Sequence, residues 1–202
     1  MSNCKILYVC QEITPYLAEN DMSVLCRALS QGMQEKGNEI RTFMPRYGLI
    51  NERRNQLHEV IRLSGMNLII DNNDHQLIIK VASIPAARVQ IYFIDNEHYF
   101  NRGGVYGFAD DGERYAYFSK AVLAAMNYLE LQPDVVSCHD WQAALVPLYL
   151  RTCFADTNVG RASAVLTIHN LKFQGIYDRK MIQYWSGLPD YVFNKDCLTQ
   201  NW

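Results

Sequence analysis

Apolar positions along the chain alternate between two periods, that of a strand and that of a helix. "KILYVCQ", starting at Lys5, is a nearly continuous apolar run of strand length, the pattern of a strand covered on both faces. Met22, Leu25, Cys26, Leu29 and Met33 then recur at helical spacing, and Gly37 supplies a stop. "EIRTFMP" predicts a second strand, closing a βαβ unit. After the polar, arginine-rich loop "RYGLINERRNQ", two strand-like runs follow, "NLII" and "QLIIKVASI", separated by the turn-forming "DNND". They predict a β-hairpin inserted at one side of the main sheet, which "VQIYFID" resumes.

The second half repeats the alternation. "NEHYFNRGGVYGFADDGER" is a long aromatic, glycine-containing loop, and Tyr115, Phe118, Val122, Ala125 and Leu129 mark the helix after it. "DVVSC" predicts a strand, "WQAALVPLYLRTCF" a helix with an internal Pro147, and "ASAVLTI" another strand. "DRKMIQYWSGL" reads as a last helix, stopped by Gly187 and Pro189. The expected fold is α/β: one doubly wound, Rossmann-like domain over residues 1–202 with a largely parallel sheet.

Composition narrows the function classes. Of 202 residues, 49% are hydrophobic and 20% charged, with a formal charge of -2, so no broad field invites nucleic acid or an anionic membrane. The apolar runs are far shorter than a bilayer span, and the N-terminal run is too short for a signal sequence, so the expected location is cytoplasmic. Cys4, Cys10, Cys26, Cys138, Cys153 and Cys197 are scattered without a C-x-x-C pair, which favours free structural thiols over a metal or redox site.

Ligands of open parallel sheets bind beyond the carboxyl ends of the strands. That rule selects "QEITPY" after the first strand, "HDW" at His139, Asp140 and Trp141, and "HNLKFQG" from His169 and Asn170, with Tyr106 in the aromatic loop. Carboxylates and amides suit sugar hydroxyls, and aromatic faces suit the C–H side of a sugar ring. Plainer roles compete: His139 as a strand-end hydrogen-bonding group, Asp140 as the cap of the next helix, Trp141 as core. There is no G-x-G-x-x-G, no phosphate-binding G-x-x-x-x-G-K-[ST] and no G-x-S-x-G, and His139 with Asp140 makes a poor metal pair. Between Glu12 and Leu29 there is neither glycine nor lysine, although that turn commonly holds a phosphate in nucleotide-binding folds.

Five stretches, in order, resemble the bacterial glycogen synthase and plant starch synthase family. They are "EITPY", "ALSQGMQEKGNEIRTFMPRYG", "YFNRGGVYGFADDGERYAYFSKAVL", "DVVSCHDWQAALVPLYL" and "LTIHNLKFQGIY". The resemblance implies the N-terminal, acceptor-side half of a two-domain GT-B glycosyltransferase. Such enzymes transfer glucose from ADP-glucose, or UDP-glucose in some members, to the non-reducing end of an α-1,4-glucan with retention. It further implies that His169 lies beside the transferred glucosyl group and donates a hydrogen bond as charge builds. His139, Asp140, Trp141 and Tyr106 would contribute to the substrate cleft, with Asn170 shaping the turn. No metal or other cofactor is implied, and a donor-binding second domain, in cis or in trans, would be needed for turnover.

The resemblance fails at one turn. The family's Lys-x-Gly-Gly-Leu, followed by an aspartate, is replaced here by Ala18, Asn20, Asp21 and Met22, with Val24 at the later aspartate. Asp21 sets a negative charge where a diphosphate would approach, and either Asp21 or Asn20 could cap the helix. The altered turn favours the alternative of a non-catalytic glucan-binding or regulatory module, while "HDW" and "TIHN" favour the enzyme lineage.

Overall fold

The structure, a computed structural model, describes residues 3–61, 64–70, 72–85 and 87–199. Eight strands, β1 (Lys5–Val9), β2 (Glu39–Pro45), β3 (His58–Glu59), β4 (Met66–Ile70), β5 (Asn73–Ser83), β6 (Gln90–Asp95), β7 (Val135–His139) and β8 (Ser163–Thr167), build one sheet. Its order is β3-β5-β6-β2-β1-β7-β8, with β4 on the side of β5. From β6 to β8 every neighbouring pair is parallel. β5 joins β6 antiparallel and carries β3 and β4, also antiparallel. The expected hairpin is therefore part of the sheet's edge, because β5 is long enough to pair β6 along one side while holding β4. Asp71, in its turn, lies outside the described residues.

The helices are α1 (Asp21–Glu35), α2 (Glu97–Phe100), α3 (Asp111–Tyr128), α4 (Leu145–Arg151) and α5 (Arg179–Ser186). Apolar burial explains the central elements. Leu7, Tyr8 and Val9 of β1 and Phe43 and Met44 of β2 are inaccessible to solvent, and α3 is buried along most of its length. Helix α1 buries Ser23, Cys26 and Ser30 and leaves Val24 and Leu29 exposed. Cys10, Cys26 and Cys138 are buried free thiols, while Cys153 and Cys197 are exposed.

One predicted helix is divided. "WQAALVPLYLRTCF" begins as a single 3-10 turn, Trp141–Ala143, and becomes α-helical only from Leu145 to Arg151. Pro147 is the reason: without an N–H it is tolerated only in a first turn, so the α-helix starts just before it. At the far edge β8 reads as an interior strand yet leaves Val165 and Leu166 exposed. Among the described residues no helix is long and apolar enough to cross a membrane.

Candidate functional site

Strand order places the site. The chain runs from β1 outward to β2 and β6, then returns to add β7 on the other side of β1. Ligand crevices of such sheets open at that reversal, beyond the carboxyl ends of the two strands. A cleft of about 790 Å³ lies there, lined by Gln11 and Glu12 after β1, Asp140 to Gln142 after β7, and His169 and Asn170 after β8. Tyr106, from the long aromatic loop, and Met22 of α1 also line it.

On the β1 side, the chain builds a closed polar knot. Asn20 is the N-cap of α1: its Oδ1 accepts from the Ser23 amide at 2.8 Å, and Ser23 Oγ accepts from the Asn20 amide at 3.0 Å. This reciprocal capping box consumes two N–H groups that a phosphate-binding turn would leave for its ligand. Of the two candidate caps Asn20 holds the position, and Asp21 is the first helical residue. Asn20 Nδ2 donates to Glu12 Oε2 at 2.6 Å, and the Tyr106 hydroxyl donates to Glu12 Oε1. Tyr106 in turn receives a hydrogen bond from the Gln11 amide. Burial of the Tyr106 hydroxyl, then its neighbours Tyr115 and Glu12, pushes its pKa up, so it stays a donor at any physiological pH.

On the β7–β8 side, Asp140 carries the geometry. It does not cap the helix after it, as one sequence reading allowed, because no side-chain cap hydrogen bond forms there. Its Oδ1 accepts from the backbone amides of His169, at 2.7 Å, and Asn170, at 3.3 Å. Its own amide donates to Thr167 O at 2.9 Å. Asp140 has φ 55° and ψ -175°, a region that side chains disfavour. Strain of about 1–3 kcal/mol is thus held by bonds that tie two strand ends together. Asn170 then closes the turn, its Oδ1 accepting from the Lys172 amide at 2.9 Å.

His139 and His169 meet directly. Nδ1 of His139 lies 2.9 Å from Nε2 of His169, with ring planes 13° apart. His169 lines the cleft, whereas His139 is 2% exposed and sits behind it, against Tyr8 and Ser137. Burial, and then the charge His169 can carry, lowers the His139 pKa to about 4, so its ring is neutral at pH 7.

Trp141 is half-buried and joins both readings offered for it: it lines the cleft and packs edge-on against Tyr115 at 5.2 Å. Its indole lies against Gly175, where φ is +63° and a Cβ would stand 2.5 Å from the ring. Only glycine lets the backbone pass that close.

The aromatic loop is pinned from α3. Asp111 Oδ2 accepts from the amides of Gly107, at 2.8 Å, and Phe108, at 3.2 Å, while Oδ1 pairs with Arg114. Arg114 is wholly buried, donates to Tyr99 O at 2.6 Å and stacks over Phe108 at 4.7 Å. Sequence reasoning missed this pair, since Arg114 looks like an ordinary helix residue; the one hint was a charge beside the apolar stripe at Tyr115 and Phe118. It took in Gln11 only as part of "QEITPY" and did not single out Gln142. Both residues line the cleft, and their amide oxygens are buried with no hydrogen-bond partner among the described residues.

The residues lining the cleft include four carboxylates, Glu12, Asp21, Asp111 and Asp140, and neither lysine nor arginine. Arg114 balances Asp111 from behind; the other three face no cation within ion-pair distance among the described residues. The surroundings therefore favour ligands rich in hydrogen-bond donors and disfavour anions. No group of three or more His, Cys, Asp or Glu side chains among the described residues could hold a metal ion.

The profile of the family described as starch synthase catalytic domain matches residues 5–201. A glycogen synthase of Chlorobium phaeobacteroides is 36% identical over 189 residues, covering 90% of this chain and 39% of the relative. One of Desulfitobacterium hafniense is 38% identical over 186 residues, covering 91% and 39%. The fold is shared with the catalytic domain of starch synthase IV from Arabidopsis thaliana, solved with ADP and acarbose. That match has a TM-score of 0.89 at 24% identity, over 97% of this chain and 40% of that one. The chain thus spans about two-fifths of the length of the relatives it matches.

Proposed function

The chain belongs to the starch synthase catalytic-domain family, and from that premise we propose that it forms the acceptor-facing half of a retaining glucosyltransferase. Its ligand in this reading is the non-reducing end of an α-1,4-glucan. The donor is a nucleotide sugar, ADP-glucose before UDP-glucose, held mainly by a second domain in cis or in trans. The observation that carries the reading is the cleft itself. It is acceptor-rich and aromatic, has neither lysine nor arginine among its described lining residues, and opens at the sheet's reversal.

Within that reading each residue has a task. Glu12, held by Asn20 and Tyr106, accepts from sugar hydroxyls. Trp141 and Tyr106 cover the ring's apolar side. Asp140 fixes the backbone at His169, whose imidazole stands beside the transferred glucosyl group and donates to it as charge builds. No metal is required, because the second domain's cations would offset the leaving diphosphate. A cytoplasmic location follows from the same substrates.

The self-capped turn before α1 supports a second reading, a glucan-binding or regulatory module that has given up transfer. Both readings expect glucan binding and differ in whether a donor-binding domain restores turnover. By itself the chain is expected to release no ADP from ADP-glucose.

Affinity electrophoresis through glycogen-containing gels tests the shared claim. The folded chain should be retarded, and Trp141→Ala or Tyr106→Ala, each checked for folding, should weaken retention about tenfold, the loss of one aromatic face. Unretarded migration of the folded wild type would remove the glucan from the proposal.

A further inference from the structure

We propose that His139 is a positioning residue: it donates from Nδ1 to Nε2 of His169 and thereby fixes the proton of His169 on Nδ1, the nitrogen left for the cleft. The binding consequence rests on the functional reading above; the position of the proton does not.

The geometry leaves two arrangements. The nitrogens facing each other, Nδ1 of His139 and Nε2 of His169, are 2.9 Å apart and share one proton when both rings are neutral. The other nitrogen of His139, Nε2, lies 3.2 Å from Ser137 Oγ. In the first arrangement the Ser137 hydroxyl donates to His139 Nε2, His139 Nδ1–H donates to His169 Nε2, and His169 carries its proton on Nδ1. In the second every bond reverses, and His169 turns a lone pair toward the cleft from Nδ1.

The field of the cleft separates them. Glu12, Asp21 and Asp140 line it without lysine or arginine. An N–H dipole directed into that negative surrounding is favoured, and a lone pair there is repelled. The first arrangement also gives the Ser137 hydroxyl an acceptor. A carboxylate would be the usual partner for orienting an imidazole, but it would draw a second proton and make the ring cationic. A buried neutral imidazole orients His169 without adding charge. The His169 imidazole then meets a sugar oxygen as a preset donor, with no rotation needed at the moment of reaction. Tyr8 packs against the buried ring at 4.3 Å, and Asp140 is next in sequence.

Imidazole nitrogen spectroscopy of the unliganded, uniformly 15N-labelled chain at neutral pH tests this without any substrate. The chain has five histidines, so assignment is tractable. The expected result is a protonated Nδ1 on both rings, with a scalar coupling across the hydrogen bond from His139 Nδ1 to His169 Nε2. A proton on His169 Nε2, or no coupling between the rings, overturns the proposal. In a folded His139→Phe variant the Nε2 shift of His169 should move toward the protonated form preferred by free imidazole. An unmoved shift there would also overturn it, since His139 would then be only a packing residue. Failure of this experiment leaves glycogen retention untouched, and failure of retention leaves the nitrogen shifts untouched.

Discussion

Replacing Arg114 with methionine is expected to cost about 3–5 kcal/mol of stability, the penalty for stranding one partner of a buried ion pair. The guanidinium is inaccessible to solvent, pairs with Asp111 and donates to Tyr99 O and Val105 O. Methionine fills much of the volume and supplies none of the donors. Asp111 would lose its ion-pair partner while still accepting from the Gly107 and Phe108 amides. Tyr99 O would lose the Arg114 donor, whereas Val105 O keeps the Tyr115 hydroxyl. Since a domain of this kind has only about 5–15 kcal/mol in all, the variant should lie close to unfolding. Denaturant titration measures it, read from the midpoint at constant slope. The effect should reach the cleft, because Asp111 also holds the Gly107 and Phe108 amides of the loop that carries Tyr106. Adding Asp111→Asn to Arg114→Met should recover part of the loss by removing the stranded charge. A loss below about 1 kcal/mol for Arg114→Met would show that the pair is incidental.

The second large effect is a loss of stability in mild acid. The folded pKa of His139 is about 4 against an ordinary 6.5, lowered by burial first and by His169 second. Between those values the unfolded chain binds a proton that the folded chain refuses. Stability therefore rises with pH across that window and is lost as pH falls from about 6.5 toward about 4. The full contribution is about 3 kcal/mol, present above the window and gone below it. His139→Gln keeps hydrogen-bonding groups and removes the titration, so its stability should depend less steeply on pH there. Unfolding curves of the two proteins at several pH values decide the matter. Parallel pH profiles for wild type and variant would remove His139 as the cause.

Much of the fold was legible because it is written in local periodicity. β1, β2, α1, α3 and the stop at Gly37 follow from apolar spacing and a glycine with φ +89°, with no knowledge of distant contacts. The strand-end rule also picked out stretches that the fold brings to one candidate cleft, those of Glu12, Asp140 and His169. What could not be read were the pairings. Asp140 looks like a helix cap because capping is a local habit, yet its partners are the amides of His169 and Asn170, about thirty residues away. His139 and His169 are separated by 30 positions and meet only because β7 and β8 are neighbours. Pro147 was visible, but its effect depended on which turn of the helix it entered. Gln11 and Gln142 carry no motif; their interest lies in oxygens that the fold leaves unpaired.

The turn before α1 departs from the pattern that the family resemblance implied. The capping box at Asn20 and Ser23 stabilises α1 by about 1 kcal/mol while occupying the Asn20 and Ser23 amides. Under the proposed function, Asp21 beside it adds to a negative lining that suits a neutral, hydroxyl-rich partner.

The most direct test is a pair of NMR titrations of the folded chain, one with maltoheptaose and one with ADP-glucose, following the backbone amides around Glu12, Asp140 and His169. The account expects maltoheptaose to shift all three strand ends in a saturable way, and ADP-glucose to leave the Asn20–Ser23 amides unmoved. Saturable shifts at those amides with ADP-glucose, and none at the strand ends with maltoheptaose, would contradict it.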